Sequence, residues 1–205
     1  MQDPHAVTSL AQLEALYGEA NPNSLLKVRR DLDAPSRDFI ARSPFCILST
    51  RGADGRVNGT PRGDAPGFVA VLSGHEVALP DRRGNNRLDA LRDILGDPQV
   101  ALLFMIPGVG ETLRVSGRAT VSTDPALCAS LAQQGRAPAT VLRVAVEEVF
   151  FQCARALMRS GLWGDATRPA GVPTAGQFLA SATIGAFDAA EYDAAAPARL
   201  ASALY

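Results

Sequence analysis

Residues 60–95 read TPRGDAPGFVAVLSGHEVALPDRRGNNRLDALRDIL, and this stretch decides the fold. Arg62 stands in a tight corner made by Pro61, Arg62, Gly63 and Asp64. Two short apolar runs follow, and then Gly84-Asn85-Asn86-Arg87 opens an amphipathic helix. A helix start offers unpaired backbone N–H groups and the positive end of the helix dipole. With arginines converging on it, such a start reads as a phosphate site. No G-x-x-x-x-G-K-[ST] string occurs, so the site is not a P-loop. No G-x-G-x-x-G opens a helix after a first strand, so it is not a dinucleotide fingerprint either.

Working outward, the apolar run FCILST begins the β region after Pro44, and Ala53-Asp54-Gly55 signals a hairpin into a return strand ending near Arg62. FVAVL and HEVALP form a second hairpin across Ser73-Gly74. Leu88, Leu91 and Leu95 predict the core stripe of a helix that Gly96 and Pro98 end. QVALLFMI reads as a buried strand, and ETLRVSGRATVST as a longer one with Gly117 at a bulge or bend. Pro125 after Asp124 starts a helix to about Gln133, TVLRVAVEEVFFQC is another long strand, and ARALMRSGLW is a short helix ended by Gly161. The order β-β-β-β-α-β-β-α-β, with six or more antiparallel strands, suggests a small closed barrel, which removes exposed strand edges.

The flanks are helical. Ser9 and Gln12 form a capping box before Leu10, Leu13 and Leu16, with Gly18 as the stop. A second helical piece carries Leu25, Leu26 and Val28, and Pro35 starts a third with Phe39 and Ile40 on its apolar face. After Trp163 a Gly- and Pro-rich linker leads to an alanine-rich tail of two short helices. This divides the chain into an N-terminal helical extension, 1–43, a barrel, 44–163, and a linker with helical tail, 164–205.

Of the 205 residues, 47% are apolar, enough for a real core. The formal charge of -1 and the mixing of signs argue against a nucleic-acid surface. Cys46, Cys128 and Cys153 have no C-x-x-C or Cys/His neighbours, and Cys46 and Cys153 lie in apolar runs. They read as buried, reduced thiols of a cytoplasmic protein. The two histidines, His5 and His75, are not at metal-ligand spacing, so no zinc site is expected. The first residues lack a basic region and a long apolar run, so a signal peptide is not expected, and no apolar run is long enough to span a bilayer.

The pieces FCILSTRGADGRV, TPRGDAPGFV, LPDRRGNNRLDALRDILGDPQVALLF and ETLRVSGRATVST, taken in order from Pro44 to Trp163, resemble the pyridoxamine-5′-phosphate-oxidase-like, FMN-binding split-barrel family. The resemblance implies a mainly β fold with peripheral helices, a six-stranded antiparallel split β-barrel, and FMN as cofactor. It implies a homodimer with each FMN in the groove between two barrels. The ending RSGLW fits a subfamily other than the vitamin B6 oxidase itself.

Carried over residue by residue, the resemblance lays Thr60-Pro61-Arg62-Gly63-Asp64 along the flavin and sends Arg62 towards the phosphate. An aromatic and a hydroxyl residue at the end of the fourth strand become Leu79 and Pro80, leaving the backbone to make that contact. Two adjacent basic residues at the helix start become Asn86 and Arg87, beside Asn85. A glutamine that touches the flavin becomes Thr112, with Arg114 on the same strand face. Arg159, Ser160 and Trp163 are candidates for contact from the partner chain. Each has a structural alternative: Arg87 and Arg114 as surface charges, Arg62 as a partner of Asp64, one of the asparagines as a helix cap, Trp163 as interface filling. Asp64 is expected to be tied to a nearby arginine or to backbone.

No Ser/His/Asp set, Cys/His pair or paired catalytic carboxylates can be argued from the sequence. That suits a flavoprotein, whose cofactor carries the redox chemistry. The expected function is an FMN-dependent oxidoreductase acting on a small substrate. The alternatives are a non-catalytic flavin or haem binding or storage protein, and a deazaflavin (F420)-dependent reductase on the same barrel.

Overall fold

The computed structural model describes residues 3–22, 26–164 and 171–202. Seven strands form one antiparallel sheet: β1 (Phe45–Arg51), β2 (Val57–Gly63), β3 (Ala70–Ser73), β4 (Glu76–Asp81), β5 (Gln99–Met105), β6 (Thr112–Ser122) and β7 (Thr140–Gln152). Their order across the sheet is β2-β1-β5-β6-β7-β4-β3. The strand order along the chain is as expected, but there are seven strands rather than six. The edge strands β2 and β3 are not hydrogen-bonded to each other among the described residues.

The sheet nevertheless curls on itself. Four strands lie between β2 and β4 in the sheet, yet Arg62 on β2 reaches Asp81 on β4 at 2.6 Å. Asp64, just past β2, meets Arg82, just past β4, at 2.7 Å. Two ion pairs thus span the gap that backbone hydrogen bonds leave. Inside the curl, Cys46 and Leu48 of β1 join one core with Val77 and Leu79 of β4, Leu102 and Phe104 of β5, and Leu142 and Val144 of β7. The alternation in β1, with Cys46, Leu48 and Thr50 buried, is the period of two expected of a strand with one face inward.

The glycine expected at a bulge does stand at one, although the extra residue belongs to the other strand. Ser116 pairs with Glu148 and Gly117 with Val146, so Glu147 of β7 is unmatched. The inward set accordingly changes phase, from Leu142, Val144 and Val146 to Val149.

The helices are α1 (Leu10–Tyr17), α2 (Ala34–Arg42), α3 (Asp89–Gly96), α4 (Pro125–Ser130), α5 (Arg155–Ser160), α6 (Ala175–Ala182), α7 (Ala189–Ala194) and α8 (Ala196–Ser202). Ser9 caps α1 by accepting from the Gln12 N–H, whereas the Gln12 side chain turns to Thr8. Asp33 caps α2, with Ile40 fully buried. Its hydrogen bond from the Ser36 hydroxyl holds its carboxyl below the usual range.

Leu25 of the expected second helical piece lies outside the described residues. Leu26 sits in a turn and Arg29 bridges to Val149, so that segment runs along β7 instead. α4 stops short of Gln133 because Gln134 and Gly135 adopt positive φ and turn the chain back, with Gln133 and Arg136 bridged. The tail holds three helices instead of two, α6 opening with a Thr174–Gln177 capping box. No helix of the described residues is long and apolar enough to cross a membrane.

The stripe expected on α3 is displaced. Of the three leucines, Leu91 is half-buried against the core, while Leu88 and Leu95 are 45% and 78% exposed and the buried positions are Ala90 and Ile94. Leu88 lies before the helix in the left-handed region, so the helical phase begins one residue later than the leucine spacing implies. Asp93 fixes the helix against the β1–β2 hairpin by accepting from Thr50 Oγ1 and Asn58 Nδ2, both at 2.7 Å.

Candidate functional site

A groove of about 1070 Å³ opens where the curled edge at β2 meets the start of α3. One wall is Thr60, Pro61 and Arg62. The floor is the 81–91 segment through Gly84, Asn85, Asn86 and Arg87. The far wall is the 136–140 segment leading into β7. Five arginines line it (Arg62, Arg82, Arg83, Arg87 and Arg136) against two aspartates, Asp81 and Asp89, so its field is positive.

Local sequence explains how each wall is built. Pro61 is tolerated because β2 is an edge strand bonded only to β1, so half of its backbone groups face away from any partner. The 84–88 turn bends through two left-handed residues, Asn86 and Leu88. Asn85 Oδ1 accepts from the Arg87 N–H at 3.1 Å. Neither asparagine is the N-cap expected of it. Leu88 occupies that position and makes no side-chain cap, so the first N–H groups of α3 have no side-chain partner among the described residues. Thr140 Oγ1, on the far wall, is buried without a hydrogen-bond partner among the described residues.

The arginines are not equivalent. Arg62 gives Nη1 to Asp81 and Nε to Thr60 Oγ1. Arg82 is spent on the protein: Nε to Asp64 at 2.7 Å and Nη1 to the Leu131 carbonyl at 2.8 Å. The expectation that Asp64 is tied to an arginine therefore holds, and Arg62 takes a different carboxylate. Arg87 is 73% exposed in its side chain and pairs with Asp89 at 2.9 Å.

Of the residues singled out in the sequence, Thr60, Pro61, Arg62, Asn85, Asn86 and Arg87 meet in this groove. Gly63 and Asp64 continue its β2 corner, and Pro80 is buried within β4 opposite Val141. The others gather at the far ends of β6 and β7. Thr112 Oγ1 donates to Gln152, Arg114 donates to Glu148 at 2.7 Å and stacks on Phe150, and Trp163 Nε1 donates to the Val109 carbonyl at 2.7 Å. Arg159 and Ser160 are exposed on the adjacent α5. Within one chain the two constellations are separate. Sequence reading missed Asp81, Arg82 and Arg83, whose charge density was its one visible signal. It also missed the 136–140 wall, which comes from distant chain and carried no local signal.

Cys153 is exposed, not buried as its apolar flanks suggest. It follows the last residue of β7, where the strand ends and the chain turns into α5. Arg155 Nε donates to its sulfur at 3.3 Å and lowers its thiol pKa, while burial pushes the Cys46 thiol up to about 12. A lowered pKa populates thiolate at lower pH. Iodoacetamide at neutral pH is therefore expected to label Cys153 first and leave Cys46 intact in the folded protein. Peptide mapping that found equal labelling would contradict this. No group of three or more His, Cys, Asp or Glu residues among those described could hold a metal ion.

No curated protein matches the chain. Among solved structures, the chain is similar to HupZ of Group A Streptococcus (15% identity, TM-score 0.49, covering 59% of this chain and 94% of that one). It is similar to a general stress protein 26 relative of the pyridoxinephosphate oxidase family from Clostridium acetobutylicum (16%, TM-score 0.46, 58% and 86%). A FAD-binding protein of Mesorhizobium loti is similar at 17% identity and a TM-score of 0.39, over 60% of this chain and 96% of that one. The sequence profile of the pyridoxamine 5′-phosphate oxidase family matches residues 32–153, more than half of the chain. With its antiparallel sheet and peripheral helices, the chain belongs to the pyridoxamine 5′-phosphate oxidase family.

Proposed function

We propose that this protein binds FMN in the groove at α3 and works as an FMN-dependent oxidoreductase on a small substrate. The observation that carries the reading is the meeting, in one arginine-rich groove, of the β2 corner with the uncapped start of α3. Arg62, Arg87 and the first N–H groups of α3 would hold the phosphate, as charge-assisted donors to a dianion. The outward backbone groups of β2 from Thr60 to Asp64 would run along the ring edge. Gly63 permits close approach, and Pro61 holds the strand open to the ligand. Bound FMN would supply the hydride-accepting and hydride-donating ring. The chain's own part is to bind, orient and shield it. Haem is disfavoured, since no histidine, cysteine, methionine or tyrosine is among the described residues that line the groove.

The second constellation fits a homodimer in which Thr112, Arg114, Arg159, Ser160 and Trp163 serve the partner's groove. The face of β1, β5, β6 and β7 away from the core supports this. Ile47 pairs with Leu103, Leu103 with Arg114 and Arg114 with Phe150, a half-buried row in which three apolar side chains flank one arginine. Light scattering of the FMN-loaded protein at micromolar concentration is expected to give a dimer. A flavin-loaded monomer would contradict the shared groove.

Arg87→Ala tests the phosphate role. A charge-assisted bond contributes roughly 1.5–3 kcal/mol, and the exposure of Arg87 places the effect at the lower end, about tenfold in FMN affinity. Riboflavin, which lacks the phosphate, should bind the variant as it binds the wild type. Titration of flavin fluorescence reads both ligands, and F420 in the same assay tests the deazaflavin alternative. Equal losses for FMN and riboflavin would assign Arg87 to the fold.

A further inference from the structure

We infer that Asp81 is the positioning and charge-setting residue of the phosphate end of the groove. It holds Arg62 in place and offsets one positive charge, so that it governs how strongly the site prefers phosphate-bearing ligands. The inference rests on the FMN reading above and concerns a residue that reading does not use.

Two ion pairs span β2 and β4, and they differ in what surrounds them. In the first, the Asp64 side chain is 2% exposed, and Arg82 bonds both to it and to the Leu131 carbonyl. Arg82 also borders the groove, but its Nε and Nη1 are committed to the protein, and Asp64 does not line the groove, so this pair serves the fold. In the second, Arg62 and Asp81 both line the groove, with side chains 19% and 18% exposed. Only part of the Arg62 fork is used there. Nη1 goes to Asp81 and Nε makes a long 3.4 Å contact with Thr60 Oγ1, while Nη2 bonds to no protein group among the described residues. A planar guanidinium held on one side by a carboxylate keeps its remaining donors in a fixed direction. An arginine so held loses less side-chain freedom when an anion arrives.

The same carboxylate opposes the anion it helps to receive. At groove distances a unit charge of like sign acts on a phosphate dianion through a medium far less screening than water. Removing that charge while keeping the acceptor should strengthen phosphate binding. Removing both charge and acceptor should release Arg62.

The test compares Asp81→Asn and Asp81→Ala with wild type, each titrated with FMN, riboflavin and inorganic phosphate at fixed ionic strength. Asp81→Asn is expected to raise the ratio of FMN to riboflavin affinity about tenfold, with a matching gain for inorganic phosphate and a steeper loss with added salt. Asp81→Ala should lie below Asp81→Asn in FMN affinity, with riboflavin the same in both. An unchanged FMN-to-riboflavin ratio in Asp81→Asn, or a loss shared by all three ligands, would overturn the inference and leave Asp81 as part of the sheet closure. If wild type binds neither flavin but Asp81→Asn tightens inorganic phosphate, the FMN reading fails and the role of Asp81 stands. If wild type binds FMN and the ratio does not move, the reverse holds.

Discussion

Gly117→Ala is expected to destabilise the protein by about 3 kcal/mol or more, which would leave much of it insoluble on expression. The reason is steric and not conformational, because the φ of Gly117 is not among the positive values. β7 carries the unmatched Glu147 opposite this point and bulges towards β6, and a Cβ on residue 117 would run into the Ala145 carbonyl oxygen and press on Val146 Cα. Both are backbone atoms of a central strand, held by ladders to β6 and β4, so no side-chain rotation can relieve the clash. Gly108→Ala is the control. Its φ of 82° is left-handed but nothing lies within 4 Å, so it should cost only about 1 kcal/mol. Urea unfolding of both variants reads the difference. Similar midpoints would show that β6 and β7 can separate at the bulge.

Arg82→Met is expected to cost about 3 kcal/mol, lowering the melting temperature by about 10 °C for a chain of this size. The substitution takes the Arg82 guanidinium away from the Asp64 carboxylate, whose side chain is 2% exposed, and cuts the bond from Arg82 to the Leu131 carbonyl. Desolvation is what makes this large, since a pair in water would be worth little. Asp64→Leu combined with Arg82→Met should recover part of the loss, because the buried carboxylate is then removed together with the guanidinium that faced it. Arg87→Ala, whose pair with Asp89 is exposed, should leave stability nearly unchanged. A melting point for Arg82→Met within a degree of wild type would remove the ion pair from the closure of the sheet.

Much of this architecture was legible in the chain. Gly55 supports the first hairpin at φ 82°, and Gly161 ends α5 in the left-handed region. These signals are local, a matter of which φ a residue tolerates or which side chain reaches a neighbouring N–H. The errors share a different origin. Leu88 and Leu95 have the spacing of a core face, but Asp93, bonded to Thr50 and Asn58, sets how α3 is rotated against the sheet. Cys153 has apolar neighbours, yet it stands where β7 ends and the chain turns into α5, and it is exposed.

The candidate site divides along the same line. The meeting of the Arg62 corner with the string from Gly84 to Arg87 was visible because both are short, contiguous and rich in arginine. Which carboxylate each arginine takes was not visible. Arg62 passes over Asp64, two residues further along the chain, for Asp81, and Asp64 turns to Arg82.

By itself the sequence determined the order of strands, the hairpins, the cap at Ser9, the glycine at the bulge and the arginine-rich segments that line the groove. Only the tertiary structure decided the curl that brings β2 to β4, the crossed ion pairs that hold it, the rotation of α3 and the far wall at 136–140. Backbone preferences act over a few residues and can be read from them. Pairing between groups distant in the chain depends on sheet twist, register and burial, which exist only once the whole sheet has curled around its core.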